Sequence, residues 1–378
     1  MLHSEAFRIP GAIAFLIIQS ARLGAYGNDQ TKQQSANGSR TPFQDAVDAL
    51  TRGDYPAQHA LLIFQADALA LEQYWDGPDL VYGEKKNRIF GPDSLHGTRS
   101  CSKSVFGLVA DIAVDEGLLP EVGTPAHKLF PDLKLHQQPT FTEAHRAITL
   151  EHLLDMKVGM DWQQHQSPDH PNNEAELEQA TNGAAYVWSQ PMKSTPGKRF
   201  NYHSGATALL ARAITRATGG DFEKYTAEKL FTPLGIKKWE WLRDNDREVG
   251  AHFGLRLRPR DMVKIGRLVL QDGKWDGQQI VPRSWIEAMS DHRNRTRKYR
   301  YQWWLKSFEL GEQKAESIVA YGKGGQTIYV LPDQEAIVVL TAGHYDNHEA
   351  AGKRDSFLQE VILPELLRAR HPAAGQTP

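Results

Sequence analysis

Cysteine is nearly absent from this sequence, with Cys101 as the single example among 378 residues. One cysteine excludes an intrachain disulfide and a zinc cluster built from cysteines. The formal net charge of −2 gives no basic field for nucleic acid, and no zinc-finger spacing occurs. Walker A and Gly-x-Gly-x-x-Gly loops are missing, as is the Gly-x-Ser-x-Gly elbow. These absences argue against nucleotide binding and against an α/β-hydrolase.

Long apolar runs are missing too, so the sequence predicts no membrane-spanning helix. The ten-residue run Ile9–Ile18 is too short to span a bilayer, and the small residues Ala25 and Gly27 after it suit a cleavage site. This layout is that of a secretory signal peptide. We therefore predict a signal peptide over residues 1–27 and a periplasmic or secreted location. An ordinary N-terminal helix in a cytoplasmic protein is the alternative.

Residues 28–45 are polar and lack apolar periodicity, which predicts a flexible leader. The remaining residues, 46–370, are predicted to form one domain. Strand-like segments occur near both ends of this domain, whereas residues 121–300 are helix- and loop-like. Because regular crossover helices do not separate the strands, a doubly wound parallel sheet is disfavoured. We predict an α/β fold of the α+β type: an antiparallel sheet built from both chain ends, flanked by helices, with an inserted helical lobe.

Hydrophobic periodicity and turn residues place the individual elements. The predicted strands are His59–Gln65, Ala68–Trp75, Tyr299–Leu305, Gln326–Leu331 and Glu335–Thr341. The predicted helices are Leu150–Met156, Ser204–Thr218, Phe222–Phe231, Arg260–Gln271, Phe357–Leu367 and one that begins at Ser100 and stops near Gly117. The helix at Ser100 carries the first candidate site.

Ser100 and Lys103 form a Ser-x-x-Lys pattern that occurs once in the sequence. On a helix, residues three apart share a face, so the lysine amine can lie beside the serine hydroxyl. Serine is a weak nucleophile unless a base takes its proton. A lysine removed from water can be that base, because burial disfavours its charged form. The alternative is a helix-capping serine followed by a solvated lysine.

Tyr202 and Ser204 form a Tyr-x-Ser pattern in a loop that leads into an apolar helix. A hydrolase that uses serine and lysine needs a second proton carrier for the leaving group, and the Tyr202 phenol fits this role. Ser204, with the segment Lys323–Gln326, is a candidate for substrate contact. The alternative is a tyrosine that packs at the start of a helix.

Lys323, Gly324 and Gly325 precede the predicted strand that begins at Gln326. Small residues let a substrate approach the backbone closely. A backbone N–H in this segment could pair with that of Ser100 as an oxyanion hole. The alternative is an ordinary turn before a strand.

The three motifs, in this order, resemble those of the serine β-lactamase and penicillin-binding-protein superfamily. Its class C branch, with esterase and nylon-oligomer (aminohexanoate-dimer) hydrolase members, is the most similar. The likeness extends over residues 46–370, for example in SCSKSVFGLVADIAVDEGLL and PGKRFNYHSGATALLARAI. The resemblance implies a β-lactamase-like fold, Ser100 as the acylated nucleophile, Lys103 as its activator and Tyr202 as a second general acid/base. It leaves open whether Lys103 or Tyr202 is the first base.

Two departures from the family pattern bear on the substrate. The Tyr-x-Asn of the lactamases is Tyr202-x-Ser204 here, and their Lys-Thr-Gly is Lys323-Gly324-Gly325, or Gly322-Lys323-Gly324 in another register. The missing threonine helps to hold the lactam carboxylate in the family. We therefore expect a serine hydrolase for small esters or amides, without metal or cofactor. A D-alanyl peptidase, a true β-lactamase and an inactive sensor of peptidoglycan or β-lactam are the alternatives. The sequence leaves the oligomeric state open.

Overall fold

A computed structural model describes residues 42–370, apart from gaps at 56–57, 82, 165–171, 292–297, 312 and 347. The predicted signal peptide and most of the predicted leader lie outside the described residues. Within the described part of the chain, no helix is both long and apolar enough to cross a bilayer.

Strands lie towards both ends of the chain, and most of the short helices lie between them. The strands are β1 (Gln58–Gln65), β2 (Ala68–Tyr74), β3 (Gly77–Val81), β4 (Glu84–Arg88), β5 (His96–Gly97), β6 (Trp239–Trp241), β7 (Leu255–Leu257), β8 (Lys274–Trp275), β9 (Gln278–Gln279), β10 (Tyr299–Arg300), β11 (Trp303–Leu310), β12 (Gln313–Gly322), β13 (Gln326–Leu331) and β14 (Ala336–Ala342). The helices are α1 (Gln44–Arg52), α2 (Cys101–Asp115), α3 (Glu143–Arg146), α4 (Leu150–Leu154), α5 (Asn173–Gln179), α6 (Gly183–Trp188), α7 (Ser204–Ala217), α8 (Phe222–Thr226), α9 (Pro259–Leu270), α10 (Arg283–Met289), α11 (His348–Phe357) and α12 (Leu363–Arg370).

The main sheet has the order β10-β11-β12-β13-β14-β1-β2, and each neighbouring pair is antiparallel. β1, from the start of the domain, lies beside β14, from its end, and Leu61 pairs with Leu340. The predicted antiparallel sheet made from both chain ends is therefore confirmed.

Side chains alternate between two apolar cores along β1. Leu62 and Phe64 belong to the larger core, which includes residues of α2, α7 and α9. Leu61 and Ile63 belong to a second core, formed with α1 and the C-terminal helices. Because successive side chains of a strand point to opposite faces, helices cover both faces of the sheet. This explains why the strand reads as an almost unbroken apolar run.

α2 is the central helix of the domain. Every residue from Cys101 to Ala113 is buried. A helix that is surrounded by protein on all sides is apolar around most of its circumference, as this one is. Its first turn is therefore held rigidly, and the residue before it, Ser100, has a fixed position.

Three features of the fold differ from the sequence prediction. β12 was missed because its first half, Gln313–Ser317, mixes charged and exposed residues with buried ones and hides the apolar pattern. The segment between β2 and α2, for which no strand was predicted, contains the β3–β4 hairpin. α1 begins at Gln44 with Phe43 buried before it, so the last residues of the segment predicted as a leader belong to a helix that packs on the domain.

Candidate active site

Ser100 occupies the N-cap position of α2, directly after Arg99 in a left-handed conformation with φ of 51°. The chain on either side of Ser100 is tied to β7. The Thr98 hydroxyl donates to the Leu255 carbonyl at 2.9 Å, and the Leu255 amide donates to the Ser102 hydroxyl at 3.0 Å. These bonds hold the turn that carries Ser100 against the inserted lobe.

The end of β12 lies against the same turn. A Cβ on Gly322 would lie 2.3 Å from the Thr98 carbonyl oxygen, closer than real contacts allow, so the approach requires glycine. The Cys101 thiol donates to the Ala320 carbonyl at 3.4 Å and fixes the first turn of α2 to the strand. The sole cysteine thus packs behind Ser100.

Lys103 is buried with 1% of its surface exposed, and its amine has two hydrogen-bond acceptors nearby. Lys103 Nζ lies 3.1 Å from Ser100 Oγ and donates to the His252 carbonyl at 2.7 Å. Glu174 Oε1 is 3.8 Å away. The lysine predicted beside the serine is therefore within hydrogen-bond distance of it rather than in solvent.

Tyr202 lies in the loop before α7 and faces Lys103, whose Nζ is 5.1 Å from the centre of its ring. The ring stacks on Trp304, with 5.6 Å between the centroids. His203 caps α7 by accepting from the Ala206 amide at 3.1 Å, and burial lowers the pKa of its imidazole to about 3. The neutral His203 cap therefore holds the loop, and Tyr202 is brought to the same site as Ser100.

Ser204 was predicted to contact substrate, but its hydroxyl is engaged within the protein. It donates to Glu174 Oε1 at 2.5 Å and accepts from the Gln164 amide at 2.8 Å. Ser204 is also fully buried. The structure therefore places it behind Glu174, which itself faces the cleft.

Two cavities meet at Ser100. The first, of about 620 Å³, is lined by residues that include Ser100, Arg99, Glu174, Glu178, Phe253 and Lys323. The second, of about 740 Å³, is lined by residues that include Ser100, Tyr202, Trp304, Lys323, Arg354 and Asp355. A substrate with groups on both sides of a carbonyl can place one group in each cavity.

Lys323, Gly324 and Gly325 form the turn that joins β12 to β13. Lys323 and Gly324 line the second cavity together with Gly322. The Gln326 side chain donates to the Ala342 carbonyl at 2.6 Å and accepts from the Ala342 amide at 3.1 Å. That side chain is used within the sheet, and Gln326, predicted as part of the substrate site, is fully buried.

Sequence reasoning missed three polar residues at the site, Glu174, Glu178 and His252. Burial and the neighbouring Glu174 raise the pKa of Glu178 to about 7. Burial and the nearby Lys103 amine hold the pKa of His252 well below its usual value. The four-residue spacing of the two glutamates on α5 was a signal for a shared face. Nothing in the sequence placed that face beside Ser100.

The chain is similar in sequence to known proteins. A family model described as Beta-lactamase matches residues 60–361. The 6-aminohexanoate-dimer hydrolase of Paenarthrobacter ureafaciens is 23% identical over 318 residues, which cover 76% of each chain.

Solved structures show the same fold at lower identity. The penicillin binding protein from Bacillus halodurans has a TM-score of 0.57 and 16% identity, with 77% of this chain and 93% of the other covered. EstCE1, a hydrolase with promiscuous acyltransferase activity, has a TM-score of 0.63 and 12% identity, with 84% and 96% covered. Since the family model spans most of the described fold, the chain belongs to the Beta-lactamase family, as its motifs predicted, and is a serine hydrolase of that family.

Proposed function

We propose that the protein cleaves small esters and linear amides through an acyl-enzyme on Ser100, with Lys103 and Tyr202 as the groups that move protons. The observation that carries the proposal is the 3.1 Å separation of Lys103 Nζ and Ser100 Oγ at the junction of two cavities. A general base must lie within hydrogen-bond reach of the proton it removes, and this pair meets that condition.

Lys103 Nζ donates to the Ser100 hydroxyl and to the His252 carbonyl, which hold it beside the nucleophile. In the proposed reaction Lys103 removes the proton of Ser100 while its bond to the His252 carbonyl keeps it in place. Ser100 Oγ then bonds to the substrate carbonyl carbon, and the carbonyl oxygen becomes an oxyanion. The bond to the leaving alcohol or amine breaks as Tyr202 or Lys103 returns a proton to it. Water attacks the ester formed on Ser100 by the same steps and releases the acid.

The oxyanion requires donors that are already in place. The Ser100 backbone N–H is at the N-terminus of α2, where the helix dipole favours negative charge. The second donor is a backbone N–H of the turn from Lys323 to Gln326, because Lys323 and Gly324 share a cavity wall with Ser100.

Esters and linear amides are preferred over penicillins and cephalosporins in this proposal. Gly324 stands where a lactamase has a threonine hydroxyl for the lactam carboxylate. Two further cations of the second cavity already have partners, since Arg354 donates to the Gly322 carbonyl at 3.2 Å and Lys306 is 3.3 Å from Asp355. The exposed Lys323 can still attract an anion, so the proposed preference for esters over the substrates of a D-alanyl peptidase or β-lactamase rests on the missing threonine hydroxyl.

The proposed location is periplasmic or secreted. The support is the apolar run Ile9–Ile18 followed by Ala25 and Gly27, the layout of a signal peptide.

Labelling with a serine-reactive fluorophosphonate, followed by intact-mass analysis and peptide mapping, tests the mechanism. We expect one adduct, on the peptide that contains Ser100, and no adduct in Ser100→Ala. Ser307→Ala, which removes an exposed serine of the sheet edge, should label like the parent protein. Modification of another serine, or undiminished turnover in Ser100→Ala, contradicts the proposal.

A further inference from the structure

Glu174, Glu178 and His252 form a cluster at the first cavity, with the two glutamates in its wall and the buried His252 next to them. The two glutamates are one helical turn apart on α5, and both line that cavity. One ligand atom from each of the three residues lies within 4.8 Å of the others. His252 Nε2 is 3.9 Å from Glu178 Oε1. Two carboxylates that solvent can reach through the cavity and a buried imidazole therefore converge.

His252 is the unusual member of this cluster. Its side chain is fully buried, and among the described residues neither ring nitrogen has a hydrogen-bond partner. A buried polar atom without a partner costs about 1–3 kcal/mol. Burial and the neighbouring Lys103 keep the imidazole neutral by lowering its pKa. A neutral imidazole with a free lone pair is the form that binds metal ions.

We propose that Glu174, Glu178 and His252 bind a zinc ion, with its remaining coordination position open to the cavity. Zinc takes histidine nitrogen at about 2.0–2.1 Å and carboxylate oxygen at about 2.0–2.2 Å, so its tetrahedral ligands lie roughly 3.4 Å apart. The cluster needs a small contraction to reach this spacing. The glutamate side chains, 24% and 39% exposed, have room to move, while the imidazole is fixed.

A second group of metal-ligand types, His59, Asp79 and His96, is less suited to an ion. His59 Nδ1 and His96 Nε2 are 2.8 Å apart and share a hydrogen bond. Asp79 accepts from Arg88 at 3.0 Å and from the Tyr345 hydroxyl at 3.0 Å. In this buried group His59 Nε2 is the one ring nitrogen without a hydrogen-bond partner, whereas both ring nitrogens of His252 lack one among the described residues. The cluster at the first cavity is therefore the stronger zinc site, although the sequence alone predicted no metal.

Zinc at this site inhibits the reaction. Glu174, one of the ligands, is 3.8 Å from Lys103 Nζ. The ion takes up space in the first cavity, where one group of the substrate lies in the proposed function. The inhibition therefore rests on the proposed function of that cavity, whereas binding of the ion does not.

Isothermal titration of ZnCl₂ into the EDTA-treated, dialysed full-length chain tests the site. We expect one zinc per chain and at least a tenfold loss of affinity in Glu178→Gln and in His252→Gln. Glu176→Gln, which removes a carboxylate from the exposed side of the same helix, should bind zinc like the parent protein. Ester hydrolysis should fall on addition of zinc and return on addition of EDTA.

Unchanged zinc affinity in a folded Glu178→Gln variant overturns the site, and Glu178 is exposed enough for this variant to fold even where His252→Gln does not. Binding without inhibition overturns the inhibitory role. If butylammonium chloride binds to the parent protein and zinc does not, the cluster is a subsite for cationic substrates and the proposal is wrong. If the parent protein shows no ester hydrolysis but the parent protein and Ser100→Ala both bind zinc, the proposed function is wrong and the zinc site is supported.

Discussion

The backbone carbonyl of His252 accepts a hydrogen bond of 2.7 Å from the amine of Lys103, across 149 residues of sequence. This bond directs one N–H of the amine away from Ser100. The side of the amine that faces Ser100 donates to the Ser100 hydroxyl at 3.1 Å. The inserted lobe thus orients the amine that we propose as the base, which is carried by the central helix.

Loss of the Tyr202 hydroxyl should slow turnover without unfolding the protein. We expect Tyr202→Phe to lower kcat for a nitrophenyl ester by about 100-fold or more, the usual size of an acid/base effect. The ring still stacks on Trp304, so the melting temperature should stay near that of the parent protein. Steady-state kinetics and a thermal melt measure both. Tyr225→Phe, whose hydroxyl donates to Glu116, is the control and should keep full activity. Equal kcat in Tyr202→Phe and the parent protein would remove Tyr202 from the mechanism.

Substrate preference should favour esters. We expect kcat/KM for nitrophenyl butyrate to exceed that for a chromogenic cephalosporin on the same preparation. The hydrogen bond lost with the threonine is worth about 1.5–3 kcal/mol when the acceptor is charged, which is roughly one to two factors of ten. Gly324→Thr should reduce the difference in kcat/KM between the two substrates only if the turn accepts a threonine, because Gly324 has φ of 88°. A cephalosporin value at or above the ester value would move the protein to the lactamase alternative.

Asp111 should make stability depend on pH. Its carboxyl is buried in α2, and burial, with the nearby Asp115, raises its pKa to about 8. The folded state therefore holds a proton that the unfolded state releases near pH 4, and stability falls as pH rises through this window. Asp111→Asn should stabilise the protein by about 1–3 kcal/mol at pH 9 and have little effect at pH 4.

Thermal melts of Asp111→Asn and the parent protein at both pH values measure this effect. Asp115→Asn, on the exposed end of the same helix, is the matched control and should give a smaller gain. If Asp111→Asn raises the melting temperature equally at pH 4 and pH 9, ionisation of Asp111 is not the cause of the stabilisation.

Removal of the N-terminal segment is expected in the native cell. The apolar run Ile9–Ile18 and the small residues Ala25 and Gly27 predict cleavage near residue 27. N-terminal sequencing of the protein purified from its own cells gives the result directly. A mature chain that begins at Met1 would refute export by this signal.

Much of the fold was predictable because its signals are local. The strand His59–Gln65 and the helix after Ser100 show their periodicity within a few residues, and the structure places β1 and α2 there. The order of strands, helices and strands along the sequence also predicted that the sheet is built from both chain ends. β12 escaped prediction because exposed, charged residues interrupt its pattern.

The sequence by itself determined that Ser100 and Lys103 lie side by side, because three-residue spacing on a helix is a local geometric fact. Only the tertiary structure decided what surrounds them. The His252 carbonyl, the Glu174 carboxylate and the Tyr202 ring come from segments distant in sequence. Their meeting depends on how the inserted lobe packs against α2 and the sheet. Contacts of this kind depend on burial of apolar surface over the whole domain, so a local pattern of residues does not specify them.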